Sequence, residues 1–135
     1  MEIKKVVMVD DDASIRRITQ IVLTKLKSWE VVLVESGAKA LELIPKEAPD
    51  VVLMDVMMPG MDGVTTFTRL KEMGFENLPV IFMTAKVQNQ EMDAYREMGA
   101  AGVISKPFQP SDLPDQIQSI TMQWCTGGDA VCQNC

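Results

Sequence analysis

Short apolar runs alternate with helically spaced apolar positions along the whole chain. The runs are Ile3 to Val9, Val31 to Val34, Val51 to Met54, Val80 to Met83, and Val103-Ile104. Runs of that length, without polar alternation, read as strands buried on both faces. The stretches between them read as helices. Ile15, Ile18, Val22, Leu26 and Trp29 fall at i, i+3, i+7, i+11 and i+14, which predicts one buried helix face. Ser14, or an aspartate before it, is the expected cap of that helix. Ala38, Leu41 and Ile44 predict a second helix, stopped by Pro45. Val64, Phe67 and Leu70 predict a third, ending near Gly74. Met92, Tyr95 and Met98 predict a fourth, ending at Gly99. Leu113, Ile117, Ile120 and Trp124 predict a fifth, with Pro114 tolerated in its first turn.

Five β-α units with no internal repeat imply an α/β fold, a parallel sheet covered by helices on both faces. Right-handed crossovers limit the topology. The leading choice is the flavodoxin-like (βα)5 doubly wound sheet, strand order 2-1-3-4-5, whose switch point lies between strands 1 and 3. Those two strands end in Asp10-Asp11-Asp12 and in Asp55. The distribution of acids and the topology therefore agree. Residues 1–124 are expected to form one domain. Residues 125–135, Gly-rich and holding Cys125, Cys132 and Cys135, read as a disordered tail.

Composition narrows the function. A length of 135 residues suits one core, and 47% apolar with 24% charged residues describes a soluble globular protein. The net charge of -6 argues against a sequence-independent grip on nucleic acid, which needs a basic face. No stretch is long enough to cross a membrane, and the N-terminal run is too short for a secretory signal, so a cytoplasmic protein is expected. There is no histidine, which excludes His-based catalysis and His ligation of metals within this chain.

Four of the five strand ends on the predicted C-terminal edge carry a reactive group. Strand 1 offers Asp10, Asp11 and Asp12; strand 3 offers Asp55; strand 4 offers Thr84; strand 5 offers Lys106. Clustered, buried carboxylates repel one another and lose solvation, and a divalent cation relieves both costs. Oxygen ligands without His or Cys favour Mg²⁺, or Mn²⁺, over zinc. A lysine and a threonine hydroxyl complete a site suited to a phosphoryl group, with Asp55 as nucleophile. Lys106 is expected to matter only once phosphoryl charge is present, and so to affect function more than folding.

VVMVDDD, DVMMPGMDG, FMTA and SKPF, in that order and at this spacing, resemble the receiver domain of two-component response regulators, over roughly residues 3 to 124. The chemotaxis regulator is itself an instance of the 2-1-3-4-5 order, so topology and resemblance are not independent readings. The resemblance implies that Asp55 is the phosphoacceptor. It implies a metal site of Asp10, Asp11, Asp55 and the Met57 carbonyl, with Asp11 the more direct ligand of the acidic pair. It makes Thr84 the switch hydroxyl, Lys106 the phosphate-contacting lysine and Lys106-Pro107 a cis bond. It implies a histidine kinase or phosphotransfer protein as phosphodonor and a downstream target protein as partner. One position departs. After Gly102 the family commonly carries Tyr or Phe, and here Val103 stands, which questions the usual coupling of threonine movement to an inward-swinging aromatic.

Taken singly, each signal has a plainer reading. Aspartates at a strand end often cap helices, Asp55 precedes the turn former Pro59-Gly60, and Lys106 reads as a surface lysine. Their joint placement on strands 1, 3, 4 and 5 favours the chemical reading. The eleven methionines read as core filler; Met57, Met58 and Met61 are expected near the site and partly exposed. The C-x₆-C-x₂-C tail, three thiols without histidine, is an incomplete zinc set, so a reduced tail is favoured over a metal site. A phosphatase of the haloacid-dehalogenase type would need a second acid two residues after Asp55, where Met57 stands. A partner-binding pseudo-receiver would be expected to lack one of the acids or the lysine. No effector domain is visible, so output is expected through protein contacts unless the chain is a fragment.

Overall fold

The computed structural model describes residues 3–85 and 89–126. Five strands and five helices alternate: β1 Lys5–Val9, α1 Ala13–Lys27, β2 Glu30–Val34, α2 Gly37–Glu47, β3 Val51–Asp55, α3 Gly63–Glu72, β4 Val80–Thr84, α4 Asn89–Glu97, β5 Gly102–Ser105 and α5 Leu113–Thr126. A 3-10 turn, Pro110–Asp112, leads into α5. All the strand pairs are parallel and the order is β2-β1-β3-β4-β5, as expected.

The continuous apolar runs are explained by two cores, one on each sheet face. Val7, Val9, Val52, Met54, Val80 and Phe82 point to the face covered by Ala40 and Ile44 of α2 and Phe67 and Leu70 of α3. Their strand neighbours Val6, Met8, Val51, Leu53, Ile81 and Met83 point to the other face, under Leu23 of α1 and Leu113 and Ile117 of α5. Alternate residues thus serve opposite cores, so neither parity can be polar.

Two helices differ from the sequence expectation. In α1 the buried positions are Thr19 and Leu23, while Ile18 and Leu26 are 43% and 56% exposed. The inward stripe is rotated from the apolar one because a threonine occupies its centre. Trp29 is buried, yet it lies beyond the helix, which ends at Ser28 in the left-handed region (φ 59°). Of the two expected caps, the aspartate holds the position: the Asp12 carboxylate accepts from the Ser14 and Ile15 amides at 2.8 and 3.4 Å. In α2 Pro45 does not stop the helix. It occupies the last turn, where it costs only the donor to the Leu41 carbonyl, and the helix continues to Glu47. Ala40 and Ile44 are buried there, and Ala38 is exposed. Helix α5 runs through Cys125 to Thr126; Cys132 and Cys135 lie outside the described residues.

No described helix is long and apolar enough to cross a membrane.

Candidate functional site

The parallel register brings four strand ends to one edge. β1 pairs with β3 through Val9 and Met54, so Asp10 and Asp55 are the next residues on adjacent strands. Asp55 pairs with Met83 of β4, and Thr84 pairs with Ser105 of β5. The Lys106 amide donates to the Thr84 carbonyl at 2.8 Å, which fixes where the lysine leaves the sheet. The Lys106-Pro107 bond is cis.

Asp10 is fully buried and Asp55 is 5% exposed. Carboxylate oxygens of Asp10, Asp11 and Asp55 lie within 4.8 Å of one another. Lys106 reaches over this group: its Nζ stands 2.7 Å from Asp10 Oδ2 and 3.1 Å from Asp55 Oδ1. Lys106 pairs with two buried carboxylates, which need a cation, so its charge bears on folding as well as on a phosphoryl group.

Electrostatics follow from this crowding. Burial pushes the Asp55 carboxyl up from its ordinary value, the charge of Asp10 pushes further, and the opposing pull of Lys106 does not cancel them. For Lys106, burial pulls the ammonium down, but the hydrogen bond and charge of Asp10 together with Asp55 outweigh it and hold it above the usual lysine value. Asp55 Oδ1 also accepts from the Met57 amide at 3.4 Å. The Met57 side chain is 70% exposed, Met61 is half-buried, and Met58, contrary to expectation, is buried in the core.

The three acids of strand 1 divide their labour. Asp10 pairs with Lys106, and its Oδ1 accepts from the Asp12 amide at 2.9 Å. Asp11 is exposed at the rim. Asp12 caps α1, the plainer role for a strand-end acid. Asp62 likewise caps α3, accepting from the Thr65 amide at 2.8 Å. Behind Asp55 the chain turns back so closely that a Cβ on Gly63 would fall 2.2 Å from the Asp55 carbonyl oxygen. Gly63 donates to the Val56 carbonyl at 3.0 Å, so this glycine shapes the loop after β3.

Two features were not legible in the sequence. Arg16 donates from Nη1 to the Asp10 carbonyl at 2.6 Å. Next to β5, the aromatic packing comes from β4, α3 and α4. Phe82 is the pairing partner of Val103, and its ring lies 5.0 Å from that of Tyr95 and 5.4 Å from that of Phe67. Val103 packs against the same core.

The family profile of the response regulator receiver domain matches residues 6–118. The chain belongs to the response regulator receiver family. Sporulation initiation phosphotransferase F of Bacillus subtilis is 34% identical over 115 residues, covering 85% of this chain and 91% of that protein. The DNA-binding response regulator MtrA of Mycolicibacterium paratuberculosis is 31% identical over 116 residues, covering 86% of this chain and 50% of that protein. Among solved structures, the chemotaxis response regulator CheY4 of Vibrio cholerae superimposes with a TM-score of 0.81 at 28% identity, covering 88% of this receiver and 99% of that chain. This receiver spans about half the length of the transcriptional regulators it matches. Membership assigns it a phosphoacceptor role in two-component signalling.

Proposed function

We propose that Asp55 accepts a phosphoryl group from a histidine kinase or a phosphotransfer protein, and that the phosphorylated receiver then binds a downstream protein. The observation that carries this reading is the ring of groups around Asp55: Lys106 Nζ at 3.1 Å and oxygens of Asp10 and Asp11 within 4.8 Å. In this reading the receiver works in the cytoplasm.

An Asp55 carboxylate oxygen attacks phosphorus in line with the phosphohistidine bond. The new O–P bond forms as the N–P bond breaks, and its electron pair stays on the departing imidazole nitrogen, which takes up a proton. Lys106 faces the oxygens that gain charge during transfer. The Thr84 hydroxyl, at the adjacent strand end and almost fully buried, is the donor for a phosphoryl oxygen in the product. Phosphorylation places a group with close to two negative charges beside Lys106 and Thr84, and movement toward it is the signal.

The acids fit a divalent cation. All three donors are oxygens, two are buried, and one lysine is the only cation paired with them among the described residues. Asp10, Asp11, Asp55 and the Met57 carbonyl would hold Mg²⁺ or Mn²⁺, which when bound neutralises charge on the phosphoryl oxygens.

Incubation with acetyl phosphate, with and without Mg²⁺, tests the proposal through the intact mass. The expected result is one added phosphoryl group in the presence of Mg²⁺ and little or none in EDTA. No addition in Mg²⁺ would overturn it.

A further inference from the structure

Arg16 lies outside the ring of groups around Asp55, yet it holds the chain on both sides of Asp11. Strand β1 ends its ladder at Val9, paired with Val34 on one side and Met54 on the other. Asp10 is the first residue past the ladder and is fully buried. Its amide donates to the Val34 carbonyl at 3.0 Å. Its carbonyl, beyond the last ladder residue, accepts from Arg16 Nη1 at 2.6 Å. A buried carbonyl left without a donor destabilises the fold, and a guanidinium donor is stronger than a neutral one. The backbone amide of the same arginine donates to the Asp12 carbonyl at 3.1 Å. Arg16 thus fixes the carbonyls of residues 10 and 12, one through its side chain and one through its backbone.

Asp11 sits between those two carbonyls. It is exposed, and among the described residues its carboxylate makes no hydrogen bond or ion pair. Its position in the acidic triangle therefore depends on the backbone that carries it. Peptide planarity transmits the orientation of the Asp10 carbonyl to the Asp11 amide and Cα. We infer that Arg16 is a positioning residue that brackets Asp11 and holds its carboxylate where a divalent cation binds. The inference rests on the proposed metal-assisted phosphoryl acceptance.

The sign of one measurement separates positioning from simple charge. Arg16→Met keeps much of the apolar stem while removing the donor and one positive charge near the acids. Charge alone would make Mg²⁺ bind more tightly; loss of positioning makes it bind more weakly. Mg²⁺ titration of the full chain, followed by amide shifts of residues 10–12 and 55, should show affinity about tenfold weaker in Arg16→Met, the size typical of a lost outer-shell partner. Arg16→Lys, with the charge kept and the donor moved, should fall between. Arg17→Met removes the same charge from an exposed neighbour and should leave affinity at or above that of the wild type. Equal or tighter binding by Arg16→Met overturns the inference. If Arg16→Met does not fold, wild-type affinity in Arg16→Lys overturns it instead, and weaker affinity there supports it. A wild-type chain that binds no Mg²⁺ would overturn the proposed function and this inference together; normal wild-type binding with unchanged Arg16 variants would overturn this inference alone.

Discussion

Lys106 and Asp10, 96 positions apart in sequence, meet at 2.7 Å. The same ammonium also reaches Asp55, so a single lysine offsets part of the charge of two buried carboxylates. Removing it should therefore affect the unmodified protein as well as the reaction. Lys106→Ala should lower metal-free stability by about 1–3 kcal/mol, the cost of leaving buried groups without a partner, and should slow phosphorylation from acetyl phosphate. Mg²⁺ should restore part of the stability, since it supplies the missing positive charge. Thermal melts with Mg²⁺ and with EDTA check this; a variant as stable as the wild type in EDTA would show that the ion pairs contribute nothing.

Gly63 lies against the back of Asp55. Gly63→Ala would place a methyl group 2.2 Å from the Asp55 carbonyl oxygen, which is backbone and cannot rotate away. The expected loss is about 1–3 kcal/mol, as for overpacking elsewhere, together with slower phosphorylation because the strand end must shift. Denaturant unfolding and acetyl phosphate kinetics check both. Wild-type values in both would mean that the loop relaxes at no cost.

Thr19 has the one buried side-chain oxygen without a hydrogen-bond partner among the described residues. Its position in the centre of the α1 interface makes the hydroxyl a liability. Thr19→Val keeps the shape and removes it, and stability should rise by about 1 kcal/mol. Denaturant midpoints decide; a fall would show that the hydroxyl does find a partner in solution.

Much of this architecture could be read from the chain, for a physical reason. The central strands β1, β3 and β4 are buried on both faces, so nearly all their positions short of the ends are apolar and each run stands out. Asp10, Asp55, Thr84 and Lys106 could be placed together because a parallel sheet aligns its strand ends. The face of α1 could not, because Thr19 is buried without an apolar side chain to announce it while Ile18 and Leu26 are exposed. The length of α2 is not legible because one lost hydrogen bond at Pro45, in the last turn, is tolerated while Ala40 and Ile44 stay packed on the sheet. The contacts of Arg16 and Gly63 depend on approach in space, and neither residue type announces one.

Asp62 gives a pH dependence with a definite sign. Its hydrogen bonds to Thr65 hold its carboxyl below the ordinary carboxylate value of 3.8. The folded state therefore favours the ionised form. The stability this contributes is complete above the unfolded-state value and is lost as pH falls through the lower, folded value. Asp62→Ala should cost about 1 kcal/mol at neutral pH, as for other N-caps, and the difference from wild type should shrink in strong acid. Paired melts across that range check it; a difference independent of pH would assign the effect to something other than the charged cap.

The nucleophile itself is open to direct measurement. After incubation with acetyl phosphate and Mg²⁺, the phosphoryl group can be located by peptide mapping under acid, where an aspartyl phosphate persists, and its sensitivity to hydroxylamine can be tested. The expected result is a single hydroxylamine-sensitive group on Asp55, absent from Asp55→Asn because an amide is a poor nucleophile. Phosphorylation of Asp55→Asn at the wild-type level, or a group mapped to another residue in the wild type, would contradict the assignment.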